Sequence, residues 1–172
     1  MDTLGQLEFM IADRIWIATA LLHQEFPSKV TFTRDEIRRK MAQEGLDEGV
    51  KPGSINAHLS DHLLANVPAS SGKYRMLFED SPGNLRLFKP GDLTHPSRVQ
   101  RRKPSKSVPQ VEQIPMKYRG LLEWYETWSQ RLSRSSNSWE DDPLIRLVGS
   151  GKHIWADEHA DEYVNRLREE LA

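Results

Sequence analysis

The chain has 172 residues, with 24 Lys and Arg against 25 Asp and Glu, and no cysteine. The lack of thiols excludes disulfides, thiolate zinc sites and cysteine nucleophiles, and it fits a reducing cytoplasm. No apolar run approaches the roughly 20 residues that cross a bilayer, and the start, MDTLGQLEFM, has no basic region leading into an apolar one, so neither a membrane span nor a secretory signal is expected. The net charge of −1 conceals a partition: residues 1–93 carry 11 basic and 13 acidic side chains, residues 94–134 carry 9 and 3, and residues 135–172 carry 4 and 9. A basic middle and an acidic end point to two kinds of partner.

Taken in order, Leu7, Ile11, Ile15, Ala18 and Leu22 recur at helical spacing and predict a helix over 7–25. It should stop before Phe26-Pro27, because a residue preceding proline resists the helical region. Val30 to Phe32 is β-prone. Thr33-Arg34-Asp35-Glu36 has the form of a capping box and opens a second helix with Ile37 and Met41 inward, ending near Gly45. Gly49 can take positive φ in the following turn. Pro52 then starts a third helix within Lys51–Asn66, whose Ile55, Leu59 and Leu63 form a thin apolar stripe. Its other face carries Ser54, Asn56, Ala57, His58, Ser60 and Asp61, short side chains suited to a DNA groove; a carboxylate there can accept from cytosine N4. Tyr74, Met76 and Phe78 alternate with Arg75 and Leu77 in a predicted strand over 73–79. Ser81-Pro82-Gly83-Asn84 suits a type II turn, and Leu85 to Phe88 forms the return strand before Pro90-Gly91.

The order helix, short strand, helix, turn, helix, hairpin resembles the winged helix-turn-helix over residues 7–90. The resemblance implies a recognition helix carrying Lys51, Ser54, Asn56, Ala57, His58 and Ser60. It also implies a wing on which Lys73, Arg75, Arg86 and Lys89 point outward as a cationic edge for phosphates or a minor groove. Winged helices also serve as protein–protein modules, and residues 1–93 are slightly acidic, so an adaptor without DNA binding is the alternative. Residues 94–115, with four prolines, read as an extended linker without a core of its own, whose Arg98, Arg101, Arg102, Lys103 and Lys106 either track phosphates or simply keep it solvated.

Helical spacing returns over 116–134 with Tyr118, Leu121, Leu122, Tyr125, Trp128 and Leu132, widened by Trp124. This aromatic face packs either on the preceding core or on a second copy. Dimerisation is favoured, because a palindrome reader needs two recognition helices about one DNA turn apart. The acidic segment 135–172 holds short amphipathic pieces around Gly149-Ser150-Gly151, a pattern that folds on a partner. Gly149, Ser150, Gly151, Lys152, Ile154, Trp155, Ala156, Asp157, Glu158, Glu162, Tyr163, Val164, Leu167 and Arg168 make it similar to the C-terminal tail of Vap-type antitoxins, which pair with PIN-domain ribonuclease toxins. That resemblance implies a tail wrapping a toxin through Leu144, Leu147, Ile154, Trp155, Tyr163 and Leu167, with Lys152 or Arg146 near the toxin's acidic metal site.

His58 and His62 lie four apart, but without a third ligand no metal is expected. There is no phosphate loop, nucleophile elbow or assignable carboxylate pair, so no enzymatic activity and no cofactor are expected. The expected whole is an α+β, mainly helical chain: a winged helix over 1–93, a basic linker over 94–115, an amphipathic helix over 116–134 and a short helical tail over 135–172. It would act in the cytoplasm as a DNA-binding antitoxin and autoregulator, with double-stranded DNA, a toxin and a second copy of itself as partners.

Overall fold

A computed structural model describes residues 9–68, 74–99, 106–136 and Glu169. The chain divides into two compact units, 1–133 and 134–172. Nearly all the described residues belong to the first. The tail residues assigned to a partner, Leu144, Leu147, Lys152, Ile154, Trp155, Tyr163 and Leu167, lie outside them.

The first unit is α+β, built around helix α1 (Ile11–Glu25). Ala12, Ile15, Trp16, Ile17, Ala18, Thr19, Ala20 and Leu22 are all buried, so α1 is covered on nearly every side rather than along one stripe. It stops where the proline requires, and the Phe26 N–H closes the last turn on Leu22 O at 2.9 Å. Strand β1 (Phe32–Thr33) runs straight into α2 (Arg34–Gln43) through the expected capping box: Thr33 Oγ1 accepts from the Glu36 N–H, and the Glu36 carboxylate accepts from the Thr33 N–H. Helix α3 (Pro52–Ala57) continues into a π-helical turn, His58–His62, in place of one regular helix to Asn66. The Leu63 N–H donates to His58 O, five residues back, at 3.1 Å. The extra residue in that turn lets Leu63 and Leu64 both lie fully buried, where regular spacing would bury one of them.

Strands β2 (Leu77–Ser81) and β3 (Asn84–Leu87) form the hairpin, and β1 pairs antiparallel with β3, giving the sheet order β1-β3-β2. Gly83 takes φ of 80°, the conformation its type II turn position requires. The expected alternation along 74–78 fails, because Met76 and Leu77 are both fully buried. Both donate N–H bonds to Leu63 O, so the chain is held there by the end of the third helix and enters the ladder only at Leu77. Asn66 takes the place of a paired strand residue: its side-chain amide donates to Glu79 O at 2.8 Å and accepts from the Glu79 N–H at 3.1 Å.

The stretch expected as a linker without a core of its own packs, over its described residues 94–99 and 106–115, on the rest of the first unit. Helix α4 (Pro96–Val99) is anchored by Arg98, and the Lys106 backbone carbonyl accepts from the Arg75 N–H at 2.8 Å. The Lys106 ammonium reaches the buried Asp13 carboxylate of α1 at 2.7 Å. Two 3₁₀ turns, Val111–Gln113 and Met116–Tyr118, lead into α5 (Gly120–Ser136). Tyr118, Leu121 and Tyr125 are buried in the same core as Trp16, whose ring meets Tyr125 edge-on at 5.5 Å. The aromatic face thus packs on its own domain, the outcome the sequence reading placed second to dimerisation. Among the described residues no helix is long and apolar enough to cross a membrane.

His23 sits where α1, β3 and α5 meet. Its Nε2 accepts from the Leu87 N–H at 3.4 Å, and its ring lies 4.9 Å from Phe32 and 4.8 Å from Trp128. Burial, aided by the charges of Arg86 and Lys89, lowers its pKa from 6.5 to about 4. As pH falls through 6.5 the unfolded chain takes up a proton that the folded chain refuses until about pH 4. Stability therefore drops by about 3 kcal/mol across that window. His23→Gln, which keeps an acceptor for Leu87 but cannot titrate, should flatten this slope in urea unfolding; equal slopes for both proteins would refute the assignment.

Candidate nucleic-acid interface

The third helix presents the surface that the sequence singled out. Ile55 and Leu59 are buried beneath it, whereas Lys51, Asn56 and Ser60 are exposed and Ser54, Ala57 and His58 are half-buried. Two of these side chains are held by their own helix. Ser60 Oγ donates to Asn56 O at 2.8 Å, and the His58 imidazole meets Ser54 O at 2.8 Å through Nδ1. Since a carbonyl only accepts, Nδ1 carries the proton, and neutral His58 offers Nε2 as an acceptor. Burial lowers the His58 pKa, with the Ser54 carbonyl opposing that shift and the nearby His62 adding to it. The His58 and His62 rings lie 5.0 Å apart, and among the described residues no group of three or more His, Asp or Glu could hold a metal. Asn56 has an exposed amide of the type that pairs with adenine N6 and N7.

The β2–β3 hairpin is less cationic than the sequence implied. Arg86 does not point outward: it is 7% exposed, and its guanidinium donates in bidentate fashion to Asp92 at 2.6 and 2.8 Å while lying 4.3 Å from the centre of the Phe78 ring. Both faces of β3 are covered, so strand alternation moves a side chain from one buried face to another. Arg75 is half-buried beside the Phe88 ring. Lys89 is half-buried with its pKa lowered by burial and by Arg86, and its N–H donates to Asp92. Lys73 lies outside the described residues, as do Arg101, Arg102 and Lys103.

Arg98 has a role that the basic run concealed. It is 2% exposed, and its guanidinium donates to the carbonyls of Asp61, Val67 and Tyr74 at 2.7, 2.6 and 3.0 Å, with longer bonds to His62 and Pro68. It also meets the Asp61 carboxylate at 3.3 Å. One side chain thus ties the carbonyl end of the third helix to the chain entering the hairpin, and it faces the one acid on that helix. Nothing local in the sequence distinguishes it from Arg101 or Arg102, since its partners lie 24 to 37 residues away. Asp92 was overlooked although Arg86 and the Lys89 N–H lie only six and three residues away, because strand alternation pointed Arg86 outward. No family model, curated protein or solved structure matches this chain.

Proposed function

We propose that residues 1–93 form a winged helix-turn-helix that binds operator DNA, with α3 and its π turn as the recognition helix and the β2–β3 hairpin as the wing, and that the chain is an antitoxin and autoregulator. The observation that carries the DNA reading is the coincidence of element order and sheet order: α1-β1-α2-α3-β2-β3 with β1-β3-β2 pairing leaves the polar face of α3 exposed beside a hairpin. Lys51 contributes charge, Asn56 and His58 contribute readout groups, and a second copy supplies the other half-site. The toxin reading rests on the sequence around Gly149-Ser150-Gly151-Lys152 and Trp155, which resembles a PIN-toxin-binding tail.

One observation favours the adaptor alternative. With Arg86 neutralised by Asp92 and Arg98 turned inward, fewer cations among the described residues face a phosphate backbone than a DNA-binding wing would offer. The two readings separate in a single comparison. The full chain should bind DNA from its own upstream region with an affinity that falls steeply with salt, by about 0.9 log unit per log unit of salt for each phosphate neutralised. Trp155→Ala should keep that binding and lose co-purification with a small neighbouring ribonuclease. Absence of DNA binding at low salt would remove the regulator reading, and retention of the ribonuclease by Trp155→Ala would remove the antitoxin reading.

A further inference from the structure

Beside the exposed face of α3 lies a groove of about 700 Å³, bounded by the start of α1, the turn before Lys51 and Tyr74. Its floor is apolar, with Phe9, Ile11 and Val50. Its polar lining includes Arg14, Lys51, Ser54 and His58, and no Asp or Glu lines it. Arg14 donates to Phe9 O, Leu46 O and Glu48 O, which are neutral acceptors. Among the described residues no carboxylate lies within ion-pair distance of Arg14 or Lys51. Two cations with no carboxylate beside them among the described residues, next to an apolar floor, make a site complementary to an amphipathic anion.

We infer that this groove binds a small aromatic or aliphatic carboxylate, its charge toward Lys51 and Arg14 and its body against Phe9, Ile11 and Val50. The volume falls within the roughly 300–1,000 Å³ typical of small-ligand sites. A DNA phosphate, hydrated on all sides, has no use for the apolar floor, and this distinguishes the site from the surface proposed above. Because Lys51, Ser54 and His58 belong to both, an occupied groove also lowers operator affinity; that corollary alone rests on the DNA reading.

The test uses the full chain without DNA. Naphthalene-2-carboxylate, its neutral amide 2-naphthamide and inorganic phosphate are titrated separately, following the amide resonances of Gly49 and Gly53 by NMR. The carboxylate should bind saturably, at least about tenfold more tightly than the amide, since one effective ionic contact is worth about that factor. Lys51→Glu, a change at an exposed side chain, should weaken it by a similar factor, whereas Lys51→Arg should not. Equal binding of carboxylate and amide overturns the inference, because the groove would then be only an apolar surface. Binding unchanged by Lys51→Glu, phosphate competing as well as the carboxylate, or no saturable binding overturns it too. DNA enters only afterwards, as a competition, so failure of the operator reading leaves the ligand result standing.

Discussion

Replacing Arg98 with Met should lower the unfolding free energy by about 3–5 kcal/mol, the range for removing one partner of a buried charge network. Methionine keeps most of the side-chain length and apolar contact but donates nothing. The carbonyls of Asp61, Val67 and Tyr74, now bonded at 2.7, 2.6 and 3.0 Å, would be left in a site where Arg98 itself is 2% exposed. Asp61 O keeps the bond it accepts from the Leu64 N–H at 3.1 Å, but the Val67 and Tyr74 carbonyls lose theirs, and each unsatisfied buried acceptor costs on the order of 1–3 kcal/mol. Lysine in the same place should recover less than half of the loss, because an ammonium cannot bridge acceptors spread around a planar fork. Urea unfolding of the three proteins gives the energies, and hydrogen exchange at Leu63 and Leu64 locates the effect. A loss below about 1 kcal/mol for Arg98→Met would show that water can replace the guanidinium, and the clasp would be incidental.

Arg86→Leu should be destabilising to a similar extent, and for a related reason. The change leaves the Asp92 carboxylate, 12% exposed at its side chain, without the guanidinium that holds both its oxygens. Removing one member of such a pair costs about 3–5 kcal/mol, most of it the burden of the charge left behind. The double change Arg86→Leu with Asp92→Leu should therefore recover part of the loss, since an apolar pair of similar volume is often as stable as the ions. Some cost persists, because Asp92 also accepts from the Lys89 N–H at 2.7 Å. The same variants separate structure from DNA contact. Under the arrangement described, Arg86 brings no net charge to the hairpin, and on the proposed DNA reading the salt dependence of operator binding by the folded double variant should match that of the parent. A slope lower by about one phosphate would mean that Arg86 turns outward on DNA and that its pairing with Asp92 is broken in the complex.

These two arginines show where local reading runs out. The sequence by itself determined the features that act within a few residues. Thr33 and Glu36 close a capping box three residues wide, Pro27 stops α1, Pro52 opens α3, and Pro82-Gly83 turns the hairpin with Gly83 at φ of 80°. It also marked Ile37, Met41, Ile55 and Leu59 as core positions by helical spacing, and all four are buried. Charge, by contrast, was read from neighbours in the chain, and there the reading failed. Arg86 looked outward because strands alternate, a rule that assumes one face of the sheet meets water. Arg98 and Lys106 looked solvated because prolines and basic residues surround them. Only the tertiary structure decided that Arg98 meets Asp61, 37 residues back, and that Lys106 meets Asp13, 93 residues back. Capping and turn chemistry are short-range and act in any context. A cation's partner is chosen by which carbonyls and carboxylates the finished fold leaves buried without one, and for Arg98 and Lys106 no short window of sequence contains that information.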